Sequence, residues 1–426
     1  MDLIGYVPYY SMNGDYFTTT LPRQLQMVNE VRYFGLTVDA TGAVVPLAGS
    51  GDKDSHLQHI SDLKAEIDSL PAGQRPRLDI TLGGAGEAAA FSTIAADSNL
   101  RQALSQNINA LLMQVGATSV DIDWEHPANT STELNNYSSM VQRIKQEVGS
   151  TRGVYTAMTP ERFMPPSAFQ GPNAIDGVSL MTYDLGYWGN DPEDPYTGEH
   201  SLPQYVADSV DAWTKPIGSP IPVDRDYAFT SWGNDTTTNH LGVGLPLYGR
   251  DINTSEAVSY ADLKSGGWTT TDGNYYMRGD QTVWIPGPDL AQQRVDFANS
   301  MGLKNIILWS LNDDLDPTDP ASLLRRAYEA NLSAVGLTGD YDHDGIVGPS
   351  DHQLWRSTFG STSGDLRADG NMDGTIDAAD YTVWRDHQTS SGLGASSVPE
   401  PSAAVMLLSA FSCLWLRHRF RIGENS

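Results

Sequence analysis

Residues 119–127 read SVDIDWEHP, with Asp121, Asp123 and Glu125 alternating with Val120, Ile122 and Trp124. Side chains two apart on a strand point the same way, so the carboxylates share one face and the apolar residues share the other. A helix would scatter the acids around its axis. Taken alone, the nonapeptide also fits a strand with a solvated polar face, or a cation site. The surrounding pattern separates these readings. Strand-like runs recur at Leu3–Tyr9, Val31–Leu36, Leu78–Leu82, Val120–Trp124, Val154–Met158, Val178–Thr182, Val243–Leu247 and Ile306–Trp309. Helical periodicity is clearest at Leu100–Val115, Leu134–Val148 and Leu290–Met301. Eight strands alternating with helices predict an α/β fold, a (β/α)8 barrel with its working groups at the C-terminal ends of the strands. In a barrel the apolar face of 120–124 meets the helices, and the carboxylates climb the interior towards the mouth. Like charges that close raise one another's pKa, which suits the uppermost acid to hold a proton near neutral pH.

Composition narrows the function. The 426 residues carry 53 acidic and 26 basic side chains, a net charge of −27. Such a surface repels phosphate backbones, so no nucleic-acid partner is expected. The single cysteine, Cys413, rules out an intrachain disulfide and a thiolate zinc cluster. The stretch Asp184–His240 is rich in Gly, Pro, Asn and Asp and reads as a long loop after the sixth strand. Tyr187, Trp188, Trp213 and Trp232 within it are either sugar-stacking platforms or anchors of the loop itself.

Further motifs stand in order along the chain: IGYVPYY from Ile4, TLGG at 81–84, MTYD at 181–184, LPLYGR at 245–250 and IILWSLNDD from Ile306. Together with TSVDIDWE they resemble glycoside hydrolase family 18, the chitinase family, whose hallmark is DGxDxDWE on strand four. Thr118 and Ser119 replace the usual Asp-Gly at the base of that strand, and Thr81 replaces a serine. The resemblance covers residues 1 to 335. It implies a retaining hydrolase of β-1,4-linked N-acetylglucosamine polymers in which the substrate's own acetamido oxygen is the nucleophile, with no catalytic cofactor. Glu125 would be the proton donor, Asp123 would orient the acetamido group, Asp121 would tune Asp123, and Tyr183 would donate a hydrogen bond to the acetamido oxygen. Tyr6, Thr81, Met181, Asp184, Trp188, Arg250 and Trp309 complete the expected substrate-binding set, with Trp309 as the apolar floor. An endoglycosidase acting on N-glycans or peptidoglycan, and an inactive chitin-binding lectin, are the alternative fates. The span from Arg250 to Ile306 is short beside relatives that insert a full α+β subdomain there, which implies a low cleft wall.

Composition changes after Gly336. GDYDHDGIVGPSDHQLWR and ADGNMDGTIDAADYTVWR repeat at an offset of 29 residues, marking a module over 336–390. Asp340, Asp342, Asp344 and Asp351 occupy positions 1, 3, 5 and 12 of one loop, and Asp369, Asn371, Asp373, Asp377 and Asp380 occupy 1, 3, 5, 9 and 12 of the other. That spacing wraps oxygens around Ca2+, so two calcium ions are expected. The aspartate at position 12 resembles dockerin repeats, which implies either a cohesin-type partner or a calcium-stiffened spacer. Residues 391–426 hold VPEP, then 14 residues, Ala403–Leu416, broken only by two serines, then three arginines. This resembles a PEP-CTERM sorting tail, read by sorting machinery during export to the surface of a Gram-negative bacterium. It implies an N-terminal signal upstream of the chain given. The protein is expected to be a monomer.

Overall fold

The computed structural model describes residues 1–160, 162, 164–185, 199–215, 238–334, 338–342, 346–362, 367–371 and 375–388. Eight parallel strands make the barrel: β1 (Asp2–Pro8), β2 (Glu30–Val38), β3 (Arg77–Ala85), β4 (Ser119–Glu125), β5 (Gly153–Met158), β6 (Gly177–Leu180), β7 (Leu241–Pro246) and β8 (Asn305–Trp309). Each pairs with its neighbour in chain order, and β1 pairs with both β2 and β8, which closes the ring. The predicted barrel is therefore the fold observed.

The alternation in β4 does what its pattern required. Val120, Ile122 and Trp124 belong to the outer core with the helices, and Trp124 stacks on Phe91 at 5.9 Å and meets the edge of Tyr137 at 4.9 Å. Those partners come from helices Ala88–Ala96 and Ser131–Val148. The second begins at Thr130, whose hydroxyl accepts from the Glu133 amide at 3.3 Å and so satisfies one of the free donors of the first turn. The helix Ser98–Val115 is capped in the same way by Asp97 and ends on Gly116 at φ 70°, a left-handed stop. It buries Leu104, Ile108, Leu111 and Leu112, a single stripe at helical spacing. A separate cluster of Ile4, Tyr6, Ala157, Met181 and Ile307 fills the barrel interior, with Phe34, Tyr183 and Trp309 packed on it.

Two expectations change. Residues Pro203–Thr214 form a helix rather than loop, and Trp213 is fully buried in the core, so it anchors the fold and cannot stack on a sugar. Strand six ends at Leu180 rather than Thr182. There the Thr182 hydroxyl donates to the Gly244 carbonyl at 2.9 Å and accepts from the Gly244 amide at 2.8 Å, replacing the backbone ladder with a side chain. Tyr187, Trp188 and Trp232 lie outside the described residues.

Between β7 and β8 the chain builds a five-stranded antiparallel sheet from Tyr248–Asp251, Ala257–Ser259, Thr269–Thr270, Tyr275–Arg278 and Gln281–Trp284. A single short helix, Tyr260–Ser265, accompanies it. Towards the C-terminus, helices Pro349–Thr358 and Ala378–Asp386 pack about an apolar cluster of Tyr341, Val347, Ala368, Ile376 and Trp384. Their tryptophans are exchanged reciprocally. Trp355 donates to the Asp377 carbonyl and Trp384 to the Gly348 carbonyl, each at 2.7 Å. Because both pairs are related by the repeat, the duplicated sequence folds as a pseudo-twofold unit.

Gly83 sits at φ 120°, and a Cβ there would lie 2.1 Å from the carbonyl oxygen of Asp123 on β4. Neither strand has room to retreat inside a closed ring. Gly83→Ala is expected to cost about 3 kcal/mol or more, from overpacking plus backbone strain, read as a lowered urea midpoint.

Candidate active site

The β4 carboxylates rise through the barrel in strict register with their neighbours. Asp121 lies between Thr81 and Tyr155, and Asp123 lies between Gly83 and Ala157.

Asp121 is fully buried. Its Oδ2 accepts from the Tyr6 hydroxyl at 2.7 Å and from Thr81 Oγ1 at 3.1 Å, and Arg32 Nη1 stands 3.1 Å from its Oδ1. Tyr6 and Thr81, expected among the substrate-binding residues, thus hold Asp121. Asp123 is 5% exposed. Burial, then the Glu125 and Asp121 charges, push its carboxyl well above the usual range, against the pull of Arg32. Glu125, at the mouth, has its carboxyl pushed up to about 7 by burial and then by the charge of Asp184. The sequence led us to expect repulsion within the column. For Glu125 the resolved charge lies instead on another strand end.

Asp184 adopts a left-handed φ of 57° directly after the departure of strand six. Its Oδ1 accepts from Tyr248 at 2.8 Å and Arg250 Nε at 2.9 Å, and its Oδ2 accepts from Arg250 Nη2 at 2.7 Å. Burial alone would raise its pKa, but bonds from His200 and Arg250 hold it well below the usual carboxylate range. Arg250 is therefore taken up by Asp184 and the Ser255 carbonyl. Tyr183 lies against Gly244, where a Cβ would stand 2.5 Å from its ring. Burial, then the charges of Asp123 and Glu125, push its phenol far up, so it remains a donor. Trp309 meets Tyr6 edge-on at 5.2 Å and Phe34 at 5.0 Å, and Met181 lies beside them in the interior cluster. His126, next to Glu125, keeps its Nε2 3.7 Å from Glu125 Oε2.

Residues 5–314 match the profile described as glycosyl hydrolases family 18. The chain belongs to that family. It is a glycoside hydrolase by that membership. Among curated relatives, "Endochitinase 1" of Metarhizium anisopliae is 22% identical over 363 residues, 73% of this chain and 82% of that protein. "Chitinase 1" of Aphanocladium album is 25% identical over 206 residues, 44% of this chain, and the match spans only 45% of that protein's length. Among solved structures, the family 18 chitinase ChiB of Flavobacterium johnsoniae superposes with a TM-score of 0.59 at 20% identity, covering 78% of this chain and 94% of its own. A chitinase from Bacteroides thetaiotaomicron gives 0.59 at 15% identity, covering 78% of this chain and 97% of its own. These superpositions establish the shared barrel.

Sequence reading missed four members of this family 18 site. Arg32 and Phe34 share the inward face of β2 with Glu30, and the same alternation that exposed the β4 acids marks them in EVRYFGLTV. Tyr248 stands within the LPLYGR motif but gained a role only when the fold set it beside Asp184, and His200 carried no signal.

Two titrations follow. The Glu125 carboxyl, followed by carbon NMR, is expected to titrate with a midpoint near 7. In Asp184→Asn the neighbouring anion is gone, the Glu125 carboxylate is favoured, and the midpoint is expected to move to lower pH.

Proposed function

We propose that the protein cleaves β-1,4-linked N-acetylglucosamine polymers, chitin or its oligosaccharides, with retention, using the substrate's acetamido oxygen as nucleophile. The observation that carries this is the division of labour in the ladder. Glu125 holds a proton near neutral pH at the mouth, while Asp123, the next carboxyl down, is itself biased to the protonated form. A protonated carboxyl is a poor nucleophile, so Asp123 is unsuited to the covalent role of the usual retaining scheme. It is suited to hydrogen-bonding an amide. Its neighbours in register are Gly83 and Ala157.

In the first step Glu125 gives its proton to the glycosidic oxygen and the bond from that oxygen to the anomeric carbon breaks. The acetamido oxygen bonds to the same carbon from the opposite face, and the aglycone sugar leaves as an alcohol. Asp123 orients the amide through its carboxyl, the Glu125 carboxylate left by the proton transfer balances the positive charge of the oxazolinium, and Tyr183 donates to the acetamido oxygen. Trp309, with Tyr6, Phe34 and Met181 around it, supplies the apolar floor. Water then adds to the anomeric carbon, the ring opens, and its proton returns to Glu125. Curated relatives named as chitinases support chitin as the substrate class.

The C-terminal module supports calcium. Asp340, Asp342 and Asp351 bring carboxylate oxygens within 4.8 Å of one another, with Asp340 and Asp351 buried. Three converging acids fit a hard divalent cation. The Asp351 carboxylate also accepts from the Tyr341, Asp342 and Gly348 amides, so it organises the loop around the ion. Asp380 repeats this with the Asn371 and Asp377 amides, and Asp369 lies in the same second loop. Asp344 and Asp373, at position 5 of each loop, lie outside the described residues. A cohesin-type partner and export through the 391–426 tail remain part of the proposal on their sequence patterns, the tail also lying outside the described residues.

Three measurements test these readings. Glu125→Gln is expected to lower turnover of chitooligosaccharides by about 10²–10⁴-fold with little change in binding, and wild-type turnover would overturn the assignment. Glucosamine oligomers without N-acetyl groups should resist cleavage, whereas equal rates on both would exclude acetamido participation. Addition of calcium to the chelator-treated full chain should raise hydrogen-exchange protection over 338–388, and the effect on the first loop should vanish in Asp351→Ala.

A further inference from the structure

We propose that Arg32 is a positioning residue for the catalytic ladder: acting directly and through Tyr6, it holds Asp121 as the ionised, hydrogen-bond-accepting carboxylate and leaves Asp123 as the protonated carboxyl above it. The inference rests on the ladder reading above.

A guanidinium has donors and no acceptor. Arg32 Nη1 donates to the Tyr6 hydroxyl at 3.0 Å, so the phenol's oxygen is the acceptor there. The single proton of Tyr6 must then point at its other partner, Asp121 Oδ2, 2.7 Å away. Thr81 Oγ1 donates to the same oxygen. With two donors aimed at Oδ2, that oxygen of Asp121 has no place for a proton, and Oδ1, which makes no hydrogen bond of its own, faces a guanidinium at 3.1 Å whose positive charge opposes a proton there. A proton is therefore favoured one level higher, on Asp123, in register with Gly83 and Ala157.

The other groups around Arg32 leave its charge available for this. From β2, Glu30 accepts from Arg32 Nε at 3.1 Å. Glu30 is also bonded by Arg77 from β3, which reaches on to Asp2 of β1, so a second cation serves that end. Asp79 of β3 lies 3.8 Å from Arg32, and burial, with Glu30 beside it, favours its protonated form. The Tyr155 ring of β5 lies under the guanidinium, 5.1 Å from its centroid, with Lys304 over the same ring at 5.8 Å. Higher in the barrel stand Asp123 and Glu125 of β4 and Tyr183 after β6. Arg32 and Asp121 both have 0% exposed side chains, so no water screens this pair. A lysine could supply the charge but not the fork that reaches Glu30, Tyr6 and Asp121 together.

The test uses the full-length protein with carbon-labelled aspartate carboxyls. In the wild type at about pH 6, Asp121 should give an ionised signal and Asp123 a protonated one. This titration needs no variant to fold, and a protonated Asp121 there overturns the inference. In Arg32→Gln, Asp121 should take up a proton, and the acidic limb of kcat/KM on chitooligosaccharides should move up by about one pH unit. Arg32→Lys should keep the limb near its wild-type position, because the charge is kept. An Arg32→Gln protein that folds and retains both the ionised Asp121 signal and the wild-type limb shows Arg32 to be a packing residue only. An ionised Asp121 in a protein that cleaves no N-acetylated oligosaccharide would instead reject the functional reading and leave this inference standing.

Discussion

A carboxylate that points into a closed barrel has lost its water, at a cost of several kcal/mol per ion unless a counter-charge or a proton meets it. The interior of this protein is organised by that constraint. Asp121 is met by a guanidinium and two hydroxyls, Glu30 by two arginines, and Asp79 by the protonated form beside Glu30. Asp123 and Asp121 each keep a buried Oδ1 without a hydrogen bond, but the guanidinium stands 3.1 Å from that of Asp121. Asp123 is biased to the neutral form instead, and Glu125 follows at the mouth. The order of ionised and protonated groups up the ladder is therefore set from below, by which cation can reach which acid.

The same constraint works laterally at the mouth. Asp184 is ionised because Arg250, Tyr248 and His200 surround it, and that held charge helps to keep the proton on Glu125. Two of the three partners come from or precede the first strand of the antiparallel sheet that follows β7. The insertion is thus more than a cleft wall, since it delivers the residues that fix the electrostatics of the acid. Its compactness and its chemical contribution are separate properties.

In the C-terminal module, acids again converge at Asp340, Asp342 and Asp351. A divalent ion is the counter-charge that this loop chemistry fits. The reciprocal tryptophan bonds explain why the repeat is kept in pairs. Each helix satisfies its indole on the other loop, so neither half closes its core alone.

The barrel was legible in the sequence because a period of two on β4 and helical periods between strands are local properties, carried by every residue of an element. The same was true of the acids and of Trp309, whose positions follow from strand ends. Arg32 was legible in principle by that rule and became meaningful only when closure set β2 beside β1 and β3. The segment around Trp213 was read as loop because a Gly- and Pro-rich neighbourhood hid a helix whose stability comes from the core it packs on, and of the two roles open to Trp213 the fold selects the anchor. The sequence by itself determined which faces point inward and which groups can carry charge. The tertiary structure alone decided which of those charges are compensated, because Asp184 meets Tyr248 and Arg250 more than 60 residues along the chain, and Tyr6 meets Asp121 115 residues away. Ionisation depends on distance through space, and only ring closure sets those distances.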